Sequence, residues 1–229
     1  MAVKESGSQG SHHSEEFVSR SEQFIEKYSK TIIWCVLGVI VLGFGIWFYI
    51  HKVVNPRAEK ASTELYAAEE QFMAGADSAA LSAPSAGSMG LLEIADKYSS
   101  TDAGKLAHAY AGIIYYDEGK YEEAIRELKE FKAKEKMVAP SLTRLIGDCY
   151  VELGKYEEAA KYFMDAAKAA DNPVISPSCL IKAGHVYEEL GQYDKALKAY
   201  KEIQDKYYTA PESESIESSI IRVEAQLKK

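Results

Sequence analysis

The stretch Gly112-Ile-Ile-Tyr115-Tyr116-Asp117-Glu-Gly119-Lys-Tyr121-Glu-Glu-Ala124 decides the fold, because it is written three times. Its glycines, tyrosines and alanine return as Gly147, Tyr150, Gly154, Tyr156 and Ala159, and again as Gly184, Tyr187, Gly191, Tyr193 and Ala196. The copies follow one another by 35 and then 37 residues. A period of this length is that of a helix–turn–helix unit, which cannot bury its apolar face alone and stacks on its neighbours to share a core. The spacing therefore predicts an all-α solenoid of about three to four helical hairpins plus a C-terminal capping helix.

Working outward, Phe163 and Tyr200 stand four residues after Ala159 and Ala196, and Leu128 holds that place after Ala124. The glycines and alanines are predicted to let paired helices approach, and the aromatics to fill the space between them. Before the clear copies, Asn55-Pro56 reads as a helix start with Asn55 as cap. Leu65, Tyr66, Ala68, Phe72 and Met73 form an apolar stripe. Ala74–Ser88 is rich in Gly, Pro and Ser and reads as a loop, after which Leu91, Ile94 and Tyr98 resume helical spacing. Together these make a degenerate first repeat. Pro140 and Ser176-Pro177 mark helix starts, and Asp171-Asn172-Pro173 marks a stop. Thr209-x-x-Glu212 resembles a capping box opening the last helix, whose Ile216, Ile220, Val223 and Leu227 make the stripe of an end cap.

Thr31–Ile50 (TIIWCVLGVIVLGFGIWFYI) contains no charged residue. About 20 helical residues at ~1.5 Å each span ~30 Å, the thickness of a hydrocarbon core. Trp34 at one end, with Trp47 and Tyr49 at the other, suits the interfaces. Some 30 polar residues come first and no small-x-small cleavage site follows, so the run reads as an uncleaved anchor rather than a signal peptide. Trp34 before Cys35 spoils a lipobox. The organisation expected is an N-terminal tail with a short juxtamembrane helix over 1–30, a transmembrane anchor over 31–52 and the repeat domain over 53–229. Arg20, Lys27 and Lys30 on one side balance Lys52, Arg57 and Lys60 on the other, so the positive-inside rule leaves the orientation open.

With 27 Lys and Arg against 35 Asp and Glu, the formal net charge is −8, which gives no electrostatic basis for nucleic-acid binding. Three cysteines are too few for a disulfide scaffold. Cys149 and Cys179, on the first helices of adjacent repeats, either pair or remain buried thiols. There is no phosphate loop, His-Glu-x-x-His or nucleophile elbow. His108 and His185 lack partners at metal spacing. We therefore expect no catalytic residues, no cofactor and no metal, and no enzyme activity. Glu122-Glu123 and Glu157-Glu158 read as helix-start acids favoured by the dipole.

The Gly-Tyr-Gly-Tyr-Ala spacing resembles that of tetratricopeptide repeats. The plan of the whole chain, a short tail, one anchor and a repeat domain of this size, is similar to the bacterial YfgM-like family. Lys97-Tyr-Ser-Ser-Thr101 followed by Leu106-Ala-His-Ala-Tyr110 fits the element that precedes the first good repeat in those proteins. The resemblance implies an ancillary subunit of the SecYEG translocon. It would lie in the inner membrane as a single-pass protein with a periplasmic C-terminal domain, beside a membrane-anchored peptidyl-prolyl isomerase or other chaperones. The residue pattern alone equally allows a cytosol-facing receptor, or a structural or regulatory subunit of another envelope complex. Family groove positions carried onto this chain include Tyr116 and Asp117; Arg144, Asp148 and Glu152; and Ile181, His185, Glu188 and Glu189. They compose a mostly acidic lining that would repel acidic peptide tails.

Overall fold

The computed structural model describes the backbone of residues 10–83 and 87–228, with side chains from residue 27 onward. The described residues are helical and contain no strand. The chain divides into two compact units, one reaching to Pro56 and the other beginning at Arg57.

The first unit is dominated by α1 (Gly10–Tyr49). It differs from the expected tail plus short helix: the segment Ser21–Lys30 is the interior of one helix that already begins at Gly10, and residues 1–9 lie outside the described residues. From Ile33 to Ile50 the large apolar side chains, among them Trp34, Trp47 and Tyr49, are exposed rather than packed on protein. Within the helical run Lys27–Met73, an 18-residue window has a mean hydropathy of 2.4 and none of it is buried. This is one helix, among the described residues, long and apolar enough to cross a membrane.

Asn55 is not the cap the sequence suggested. A π-helical turn, Ile50–Val54, follows α1, and Asn55 continues in right-handed helical geometry with its N–H bonded to the Ile50 carbonyl. Pro56 explains the difference. Lacking an N–H, it leaves a carbonyl one turn back unpaired and crowds it, and a widened turn accommodates both effects.

The helix α2 (Asn55–Met73) leads into the second unit, where it buries Ala61, Leu65 and Ala68. Tyr66 and Met73, expected on that stripe, project into solvent, because α2 packs along one narrow face. Tyr110 donates to Glu69 at 2.6 Å and its ring lies 4.7 Å from Phe72. The region read as a loop contains a short helix, α3 (Asp77–Ser82). Ala80 and Leu81 are the reason: their burial in the core shared with Leu91, Ile94 and Ala107 outweighs the local Gly and Ser.

Then come α4 (Leu91–Lys97), α5 (Asp102–Asp117), α6 (Tyr121–Leu128), α7 (Val138–Glu152), α8 (Tyr156–Ala170), α9 (Ser176–Glu189) and α10 (Tyr193–Lys206), each packing on the next. Thr101 caps α5 by accepting from the Gly104 N–H. The acids Glu122, Glu123, Glu157 and Glu158 lie in first turns of α6 and α8, as expected. The α6 helix is only eight residues long, against 15 for α8 and 14 for α10. The irregular segment 129–137 carries the chain on to α7.

The triplicated motif now has a physical account. Gly119, Gly154 and Gly191 sit at φ +75°, +67° and +67° just past the ends of α5, α7 and α9. The next residue's N–H reaches back to the motif tyrosine's carbonyl: Lys120 to Tyr115, Lys155 to Tyr150 and Gln192 to Tyr187, each at 2.8 Å. This is the Schellman ending, in which a residue without Cβ takes the left-handed position. The earlier glycines serve close approach instead. A Cβ on Gly112 would sit 2.6 Å from Leu128, and one on Gly147 2.6 Å from the Phe163 ring. Ala159 and Ala196 are fully buried.

The end cap departs from the sequence reading at its start. Thr209 does not cap a helix; α11 (Glu212–Ser215) begins after Pro211 and is followed by α12 (Glu217–Leu227). Pro211, pre-set near helical φ and lacking an N–H to be capped, opens the turn itself. Ile216, Ile220 and Val223 are buried against α10, but Leu227, in the final turn, is exposed. Cys149 and Cys179 are free and buried, and do not form a disulfide.

Candidate functional site

The groove positions lie on the first helix of each clear hairpin: Tyr116 and Asp117 at the end of α5; Arg144, Asp148 and Glu152 one turn apart on α7; Ile181, His185 and Glu189 one turn apart on α9. Side chains link the three helices into one row. The Tyr116 hydroxyl is pushed above its ordinary value by burial and by the charges of Asp148 and Glu152. Asp148 accepts from Lys182 of α9 at 2.8 Å, its side chain 14% exposed against 39% for the lysine. Burial pushes the Cys179 thiol up to about 11, against the opposing pull of Arg144. The structure thus places Tyr116, Asp148 and Glu152 within one electrostatic neighbourhood, and Arg144, Asp148 and Lys182 within another that overlaps it.

His185 is exposed, its ring 6.1 Å from that of Tyr200 in an edge contact. Ile181 is half-buried against the C-terminal core. Glu188 belongs to the end cap. It accepts from Tyr200 Oη at 2.6 Å and from Arg222 of α12 at 2.9 and 2.8 Å, a two-pronged clamp. The Arg222 guanidinium beside it holds the Glu188 carboxyl below the usual range.

Two of the acids counted in the row, Asp148 and Glu188, are therefore neutralised within the fold. The open charges are Asp117, Glu152 and Glu189, all exposed, with Arg144 half-buried among them. The row remains acidic, but less so than its sequence. Two surface clefts lie elsewhere, one along α10 by Asp194, Leu197 and Lys201, another between α8 and α10 by Met164 and Lys206. Among the described residues, no group of three or more His, Cys, Asp or Glu could hold a metal ion.

Sequence reasoning missed three contacts. Lys182 is the cation that matters most to the row, and its signal was available: it stands 34 residues, one repeat, after Asp148. The His108 ring nitrogen Nδ1 lies 2.9 Å from Glu127 between α5 and α6, with side chains 14% and 11% exposed. Lys129 donates to Tyr150 Oη at 3.0 Å and covers the stacked Tyr150 and Tyr162 rings.

Comparison with known proteins agrees with this geometry. Two tetratricopeptide repeat models match the chain, at residues 107–173 and 177–205. The hairpins α5–α6, α7–α8 and α9–α10 match tetratricopeptide repeats. A TPR repeat-containing protein, MJ1428 of Methanocaldococcus jannaschii, is 39% identical over 61 residues. That stretch covers 27% of this chain and 10% of the relative. The crystal structure of MamA protein aligns over 73% of this chain and 90% of its own at 17% identity, with a TM-score of 0.47. The matched repeats begin on α5 and end on α10, so the row from Tyr116 to Glu189 falls wholly within them.

Proposed function

We propose that this chain is a membrane-anchored scaffold that holds partner proteins at an inner membrane. Tetratricopeptide repeats are protein-interaction modules, typically without enzymatic activity, and the row on α5, α7 and α9 offers partners a mixed polar surface with a net acidic balance. The observation that carries the membrane part is the exposed apolar face of α1 ahead of the repeats. A helix apolar all round and packed on no protein suits lipid. Tethering then raises the local concentration of the repeats beside membrane complexes.

The resemblance to YfgM-like proteins makes the Sec translocon the proposed complex, with periplasmic chaperones or an anchored peptidyl-prolyl isomerase as partners. Tyr116, Asp117, Arg144, Asp148, Glu152, Ile181, His185 and Glu189 are the proposed contact row. Affinity purification from detergent-solubilised membranes is the test: SecY and the isomerase should co-purify well above a control lacking the tag. Protease added outside the inner membrane should digest the repeats. A domain protected by that membrane would sink the periplasmic assignment, and a partner list without Sec components would sink the translocon assignment.

A further inference from the structure

The repeats have two edges. One is made of the tight turns within hairpins, at Gly119, Gly154 and Gly191, where the neighbouring Leu153 and Leu190 turn into the core. The other is made of the connections between hairpins, at residues 98–101, 129–137, 171–175 and 207–211. Bonds a repeat apart stitch this second edge together. Asn172 donates to the Lys136 carbonyl at 3.1 Å, and Asp171 accepts from Lys206 at 2.6 Å and from Tyr207 at 3.4 Å.

Large apolar side chains stand out along this edge at matching places in three successive connections. Met137 is 51% exposed, Val138 47%, Val174 66% and Tyr208 73%. Each could have been a polar residue at no cost to the core, since none contributes to it. Around the first two connections the acids are engaged, whereas Asp205 and Glu214 near Tyr208 are exposed and form no salt bridge among the described residues. Glu135 turns its carboxylate onto the backbone N–H groups of Met137, Val138 and Ala139, where it caps α7. Asp171 is held by Lys206, and Glu130 by Lys132. Lys134 and Lys136, on either side of Glu135, form no salt bridge among the described residues. Apolar tips with Lys134 beside them, and with Lys136 shared with Asp171, are a composition that meets a bilayer surface, with tips in the headgroup–acyl boundary and ammonium groups among phosphates.

The entry point of the chain is on this same edge. Arg57, the first residue of the repeat unit, donates to the carbonyl of Lys97 at 2.6 Å, at the end of α4 and just ahead of the first connection. The segment preceding Arg57 is the one we read as the anchor. We propose that the inter-hairpin edge, with Met137, Val138, Val174 and Tyr208 as its apolar tips, docks onto the lipid surface and leaves the turn edge in water. This rests on the anchor reading of Thr31–Ile50.

The test uses the full chain in nanodiscs containing anionic lipid and a fraction of spin-labelled phosphatidylcholine. A fluorophore is placed singly at Val174→Cys, at Tyr208→Cys or, on the opposite edge, at Lys155→Cys, each with Cys35→Ser; Cys149 and Cys179 are buried and stay unlabelled. A fourth sample carries the fluorophore on native Cys35. The labels at 174 and 208 should be blue-shifted and quenched several-fold more than the label at 155. Lys134→Glu with Lys136→Glu should reverse much of that difference. Quenching at 174 and 208 no greater than at 155, with Cys35 still quenched, overturns the docking edge while leaving the anchor standing. An unquenched Cys35 overturns both.

Discussion

Gly147→Ala tests the packing account most directly. In an unconstrained helix the change should help, since Ala is favoured over Gly by about 1 kcal/mol. Here the new Cβ would lie 2.6, 2.7 and 3.1 Å from three carbons of the Phe163 ring. Ordinary carbon contacts are about 3.5–4.0 Å, so the ring must retreat by up to about an ångström. It has nowhere to go: Phe163 is 1% exposed and is enclosed by Ala159, Ala183 and Val186. Overpacking of this kind costs about 1–3 kcal/mol, and the confinement argues for the upper half of that range. After subtracting the propensity gain, a net loss of about 1–2 kcal/mol is expected. For a domain of this size each kcal/mol lowers the melting temperature by about 2–4 °C. Near-UV circular dichroism of the full chain in mild detergent reads it cleanly, because tyrosines populate the repeats whereas both tryptophans, Trp34 and Trp47, lie in α1. Adding Phe163→Leu should remove the clash and give a favourable coupling of about 1 kcal/mol or more in the double-mutant cycle. A Gly147→Ala protein that melts at or above the parent, or a strictly additive cycle, would refute the assignment of this glycine to helix contact.

Three further outcomes are expected. Gly119→Ala meets no neighbour within 4 Å, yet forces a side chain into φ +75°; it should cost about 1 kcal/mol from backbone strain alone, uncoupled from any substitution at Leu128. Glu127 is held below its usual 4.5, chiefly by His108. Its stabilisation is therefore full above that value and lost as pH falls through the lower folded-state value, so Glu127→Gln should flatten the decline of the melting temperature on acidification, and an unchanged slope would contradict the pairing. Burial pushes the Cys149 thiol up to about 12 and that of Cys179 to about 11; maleimide should modify one thiol per chain in detergent and three after denaturation, and rapid native labelling of either repeat cysteine would count against their burial.

The parts of the fold legible in the sequence were those enforced locally and repeated. A left-handed glycine past a helix end, a small residue at a helix crossing and an aromatic opposite it each leave a fixed residue type at a fixed spacing. What was not legible depended on residues distant in the chain. The short helix Asp77–Ser82 exists because Leu81 finds Leu91 and Ile94, against the local preference of its Gly- and Ser-rich surroundings. Thr209 looked like a cap until Pro211 took the start of the helix. The charge of the candidate row was misjudged for the same reason: Asp148 and Glu188 are matched by Lys182 and Arg222, each 34 residues further on. Cross-repeat partners recur at about one period, so a scan for opposite charges at that offset would have found both.

The brevity of α6 has a mechanical consequence. In a stack where each hairpin touches only its neighbours, strength is set link by link. The eight residues of α6 give α7 a smaller face to hold than the 15 of α8 give α9. A pull along the run from α4 to α10 would therefore part the stack at the α6–α7 joint first. The hairpins α7–α8 and α9–α10, clamped to α12 through Glu188 and Arg222, would come away as one body. The joint would act as a fuse: a partner tugging on the distal repeats would stretch segment 129–137 before it disturbed the packing of α4 on α5.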